Sequence, residues 1–124
     1  MICKFSYPLN SFSSTISTLN DENGKVVESS KAIVTKNFSK VDGLEIKVND
    51  NANCTYKVFF YDEEKHFVSV SQTIDTDFNV SNVPETSKYF KLVIIPNQID
   101  GEDVTVSIVN VPKYAGMLKV TYNK

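Results

Sequence analysis

The feature that most constrains this chain is its two-residue alternation. In stretch after stretch a β-branched or aromatic residue is followed by a polar one, and side chains two apart share a face only on a strand. Leu44, Ile46 and Val48 alternate with Glu45 and Lys47, the pattern of a half-buried strand. Residues 56–61 read as a central strand, with Tyr56, Val58 and Phe60 on one side and Lys57, Phe59 and Tyr61 on the other. The turn Asp62-Glu63-Glu64-Lys65 sends residues 66–70 back as a hairpin partner. Residues 88–96 are the most apolar strand: Phe90, Leu92 and Ile94 face one way, Tyr89, Val93 and Ile95 the other. Pro96 ends it, because proline cannot donate to a ladder. After a turn at Asp100-Gly101-Glu102, Val104, Val106 and Ile108 alternate with Thr105, Ser107 and Val109 until Pro112 breaks the run. Residues 117–122 give a last strand. No segment of ten or more residues carries apolar spacing of 3, 4 and 7 free of β-branched interruptions.

The N-terminal third is less regular, with short strand candidates at 2–5, 14–19, 25–27 and 32–38. Asp21-Glu22-Asn23-Gly24 is a hairpin turn signal, since Asn-Gly tolerates positive φ. About eight to ten short strands at a spacing of about 8 to 12 residues predict an all-β, antiparallel, jelly-roll-like sandwich. No linker, low-complexity tract or repeat interrupts residues 1–124, and the length suits one domain.

Composition limits the chemistry. The chain has no arginine, one histidine (His66), no tryptophan and two cysteines. Without a guanidinium it cannot form the bidentate forks typical of phosphate and guanine readout, so no nucleic-acid partner is expected. His66 follows an acidic turn and has Ser69, Ser71 and Glu64 near it in sequence, but a general base also needs an orienting group, and a solvated turn histidine is the plainer reading. The carboxylates cluster in turns, where solubility and turn chemistry place them. No enzyme is expected. No cofactor is expected either. Asn49-Asp50-Asn51 and Asp100-Gly101-Glu102-Asp103 are oxygen-rich loops of the kind that hold structural calcium, yet neither has EF-hand spacing, and the turn reading is preferred. A bridge between Cys3 and Cys54 is geometrically open, with reduced packing thiols preferred. The N-terminus shows no basic region followed by an apolar stretch, and the longest apolar run is one strand long. Synthesis and folding in a cytoplasm, with no membrane partner, are therefore expected.

The aromatics are the most informative set. Phe59 and Tyr61, with Tyr89, Val93 and Ile95, lie opposite the core faces of their strands. Left open, such a face stacks sugar rings or grips a protein; otherwise the N-terminal strands cover it. The missing tryptophan, the largest stacking ring, shifts the balance toward protein contact. The candidate glycan or partner contacts are Phe59, Tyr61, His66, Tyr89 and Tyr114, with Asp62 and Asn97 as polar partners.

Three stretches carry a family likeness: residues 31–48 (KAIVTKNFSKVDGLEIKV), 56–69 (YKVFFYDEEKHFVS) and 77–95 (DFNVSNVPETSKYFKLVII). In order they resemble the carbohydrate-binding-module-like β-sandwich domains of bacteriophage tail, baseplate and other virion proteins, over roughly residues 26–109. The resemblance implies a jelly roll of two antiparallel sheets. It further implies a non-enzymatic structural or accessory protein of a phage particle (capsid decoration, fibre or tail accessory) that contacts other virion proteins, forms a homo-oligomer and resides in the virion. A glycan-binding module for host-surface attachment is the competing implication. Residues 1–12 and 112–124 flank the resembling core and are expected to act as assembly arms, since free termini add strands to neighbours.

Overall fold

The computed structural model describes residues 4–8, 14–49 and 52–123. Their strands are β1 (Lys4–Pro8), β2 (Ser14–Ile16), β3 (Thr18–Leu19), β4 (Val26–Val27), β5 (Ile33–Thr35), β6 (Ser39–Lys40), β7 (Glu45–Val48), β8 (Cys54–Tyr61), β9 (Phe67–Val70), β10 (Tyr89–Pro96) and β11 (Leu118–Asn123). One short helix, α1 (Val111–Ala115), precedes β11. Among the described residues every strand pair is antiparallel. The smaller main sheet has the order β1-β11-β7; the larger runs β2-β5-β10-β8-β9, with β6 also on β10; β3 and β4 form a separate hairpin.

Alternation becomes a core in the expected way. Tyr56, Val58 and Phe60 of β8 and Phe90, Leu92 and Ile94 of β10 meet Ile46 of β7 and Leu118 and Val120 of β11 in one buried cluster. Each such side chain contributes about 1.5 to 3 kcal/mol by leaving water. β8 and β10 pair along their full lengths, from Tyr89 opposite Tyr61 to Pro96 opposite Cys54. Pro96 is the last paired residue, so its missing N–H costs the ladder nothing further. A bulge between Phe60 and Tyr61 leads into the 62–65 turn.

One segment ties the two main sheets together. Beyond β9 the chain continues along the edge of β8, bridging Ile74 to Tyr56, and then crosses to bridge Phe78 to Ile46 on β7. The Tyr56 hydroxyl donates to the Thr76 carbonyl at 2.7 Å and pins this corner. Corners of this kind close sheet-on-sheet packings.

Three expectations need correction. The strand at 104–109 does not form. The Val106 N–H donates to the Ser30 carbonyl and Val106 is buried, whereas Ile108 and Val109 are 84% and 89% exposed. The Asn110 side chain accepts from the Ser107 N–H at 2.7 Å, closing a turn that competes with any ladder. Pro112 then opens α1, where its fixed φ suits the first helical turn, instead of merely breaking a strand. The 14–19 strand divides at the buried Ser17: β2 stays on β5, and β3 leaves to pair with β4. Finally, where the flanking segments are described, they pair within the chain. Lys4–Pro8 pairs with β11 throughout, β11 also pairs with β7, and Leu118 and Val120 are fully buried.

Candidate functional site

The second face of the large sheet carries Phe59 and Tyr61 from β8 and Val93 from β10, and it is covered. Leu19, Ala32 and Val34 join them in a second buried cluster, with Phe38, Phe67 and Tyr89 packed at its margin. Phe59 is 1% exposed and Tyr61 3%. The cover is the β3–β4 hairpin together with Phe38, whose ring meets Tyr61 edge-on at 4.8 Å. The Tyr61 hydroxyl donates to the Gly24 carbonyl at 2.7 Å, so the phenol keeps its hydrogen bond in an apolar setting. At the hairpin tip Lys57 pairs with Asp21 at 3.0 Å, a surface pair worth about 0 to 1 kcal/mol.

Gly24 is required twice over. Its φ is 67°, and a Cβ there would sit 2.6 Å from Phe67 Cδ1 and 2.9 Å from the Tyr61 hydroxyl. Asn20 receives the turn: its carbonyl accepts from the Gly24 N–H, and its own N–H donates to the Lys25 carbonyl. The Asn-Gly signal in the sequence thus serves to lay the hairpin over the aromatic face.

The seven candidate residues separate into four places. Phe59 and Tyr61 lie beneath the hairpin, with Tyr89 half-buried beside them. Asp62 and His66 belong to the adjoining turn, which extends this end of the sheet. Tyr114 lies instead in the core between the main sheets, 3% exposed, with the Lys113 ammonium 5.5 Å from its ring. Asn97 lies beyond the opposite end of β10, its N–H donating to the Asn53 carbonyl. The open aromatic platform is thereby replaced by a closed inner layer.

The 62–65 turn is held by Asp62, whose Oδ1 accepts from the backbone N–H groups of Glu64 and His66, both at 2.9 Å. His66 Nδ1 lies 3.8 Å from Asp62 and 3.7 Å from Glu64, beyond hydrogen-bond range, and its side chain is 72% exposed. It is a solvated imidazole near two carboxylates. Between this turn and the start of β10 runs a shallow groove lined by Asp62, Glu63, Glu64, Glu85, Thr86 and Lys88.

Sequence reasoning missed Phe38, Lys65 and Lys91. The Lys91 ammonium lies 4.3 Å from the centre of the Phe38 ring; Lys65 lies 5.4 Å from Phe38 and 5.5 Å from Tyr89. The β6–β10 pairing, Lys40 opposite Tyr89 and Ser39 opposite Phe90, brings Phe38 there. The aromatic at the end of the strand candidate 32–38 was the available signal, though β5 stops at Thr35 and a two-residue strand such as β6 leaves no alternation to read.

Buried ionisable groups behave as their surroundings require. Burial pushes the Tyr61 phenol up to about 12 and the Cys54 thiol up to about 11. Burial, with the Asp77 charge, raises Tyr56 further. Cys54 is a free, buried thiol, and Cys3 lies outside the described residues, as do Asp50 and Asn51 of one oxygen-rich loop. The other loop is a tight turn in which Ile99 and Glu102 bridge and Gln98 donates to Asp103 at 2.9 Å. Among the described residues no group of three or more His, Cys, Asp or Glu is placed to hold a metal ion, and no helix is long and apolar enough to cross a membrane.

With the aromatic face closed, the apolar surface lies at the periphery. Val26 and Val27 are 62% and 41% exposed on β4, which among the described residues pairs with β3 alone. Ile108 and Val109 project from the turn before α1. Comparison with protein-family models, curated proteins and solved structures finds no match.

Proposed function

We propose that this chain is a non-enzymatic structural protein of a bacteriophage particle, a decoration, fibre or tail accessory subunit acting through protein–protein contacts. The observation that carries the reading is where its apolar surface lies. The aromatic face that would serve sugar stacking is filled from within by Leu19, Phe38 and Phe67. The exposed large apolar residues stand instead on an edge strand, at Val26 and Val27, on the 99–102 turn, at Ile99, and on a projecting turn, at Ile108 and Val109. An open edge accepts a strand from a neighbour, with main-chain hydrogen bonds giving affinity and flanking side chains giving specificity.

Strand order supports the finer fold reading. The small sheet runs β1-β11-β7, extended at its β7 edge by the Phe78 bridge, and the large one contains β5-β10-β8-β9. Those interleaved orders suit a jelly roll, an architecture used by viral capsid and lectin domains. Fold alone does not choose between those two uses, and the closed aromatic face favours assembly. Quantitative proteomics of virions from cells that make the chain tests the reading. A fixed copy number per particle is the expected result. Absence from the particle, together with reproducible binding of the native chain to host cell-wall glycans, would replace assembly with host attachment.

A further inference from the structure

We propose that the 62–65 turn is the centre of an interface between two copies of this chain, in which Lys65 and Lys91 of one copy meet Glu64 and Glu85 of the other. The first observation is a pair of cations without an anion. Lys65 and Lys91 both lie over the Phe38 ring, which holds their ammonium groups within roughly 10 Å of each other. Among the described residues neither ammonium forms an ion pair, although Lys65 directly follows two glutamates. Lys91 is partly buried, and desolvation lowers its pKa from the ordinary lysine value. An aromatic face offsets only about 0.5 to 2 kcal/mol of such a cost, so a carboxylate arriving from outside gains from both charges.

The second observation is an anionic surface on the other flank of the same turn. Glu64 and Glu85 both line the shallow groove between the turn and β10, together with Asp62 and Glu63, and Lys88 is its one cation. Lys65 is not among the groove's lining residues; its ammonium lies by Phe38 and Tyr89. A surface with a cationic half and an anionic half on either side of one point complements itself under a two-fold rotation through that point. Such an isologous contact forms each lysine–glutamate pairing twice. Opposed potentials of this kind set partner choice and orientation and make the association salt-dependent.

The inference rests on the assembly reading and specifies one contact of it, away from the apolar edge. Sedimentation velocity of the full chain at about 0.05 M and about 0.5 M salt reads it directly. The expected result is a dimer at low salt that dissociates at high salt. Lys65→Glu and Glu85→Lys, both at exposed positions, should each raise the dimer dissociation constant about tenfold or more, with unchanged circular dichroism. The double variant Lys65→Glu/Glu85→Lys re-forms one of the pairings with reversed signs, leaves Lys91 and Glu64 as they are, and should bind more tightly than either single variant. A chain that stays monomeric at both salt concentrations overturns the proposal, as does a double variant no tighter than the single ones. A monomer whose retention on a sulfated polysaccharide column falls with Lys65→Glu also overturns it and assigns the lysines to an anionic polymer. Particle proteomics is independent of all three outcomes: a monomer found in virions sinks only the dimer, and a dimer absent from virions sinks only the assembly reading.

Discussion

At the scale of single residues, Gly24 is what lets the hairpin close over the second aromatic layer. Replacing Gly24 by alanine forces a side chain into left-handed backbone at φ 67° and a Cβ into the Phe67 ring. The two costs together are about 2 to 4 kcal/mol, and a lowered denaturant midpoint at unchanged m-value is the expected outcome. An alanine variant as stable as the native chain would mean that the hairpin does not pack as described. Titration gives a second prediction. The folded state holds Cys54 at about 11 against an ordinary 9.0, and Tyr61 at about 12 against 10.0. Both groups are neutral when protonated, and their folded pKa values are raised. Their stabilising contributions are therefore fully present below about pH 9 and are lost as pH rises through about 11 and 12. The native chain should lose thermal stability relative to Cys54→Ala between pH 9 and 11, and a pH-independent difference in Tm would contradict the buried thiol.

At the scale of elements, the contrast between β10 and residues 104–109 shows what alternation can and cannot say. β7, β8, β10 and β11 were legible because each carries a full period-two pattern and occupies a place with a neighbour on at least one side. Residues 104–109 carry the same pattern, yet their described backbone contact with another segment is the single bond from Val106 to Ser30. A strand needs a partner edge, and no run of residues states in advance which edges will be free. The site shows the same limit. Alternation placed Phe59 and Tyr61 on a second apolar face, but its cover comes from β3, β4 and the loop at Phe38, pieces too short to show a period. The failed strand also yields a prediction. Ile108 and Val109 contribute little burial, so Ile108→Ser/Val109→Ser should shift stability by no more than about 0.5 kcal/mol per site. If the projecting turn is a contact of the particle, the same variant should lose incorporation into virions while remaining folded. A cooperative unfolding midpoint well below native would instead place the pair in the core.

At the scale of the whole molecule, the issue is whether the chain is a central module with appended arms or one closed unit. Sequence favoured arms, because the expected family resemblance ends near residue 109. The pairing argues for closure. β11 is the middle strand of the smaller sheet, hydrogen-bonded to β1 on one side and β7 on the other. Leu118 and Val120 are completely buried against the large sheet, and Tyr114 and Ala115 of α1 fill the same core. Removing residues 112–124 deletes these groups and leaves both neighbouring strands without their shared partner. Loss of four buried apolar side chains at about 1 to 3 kcal/mol each is comparable with the whole stability of a domain this size. The truncated chain should therefore lack a cooperative thermal transition and bind a hydrophobic dye, whereas Lys119→Ala, at an exposed position of the same strand, should melt close to native. A truncated chain that still unfolds cooperatively would restore the arm reading. It would also free the last strand to be donated to a neighbouring subunit, in place of the internal role its burial assigns.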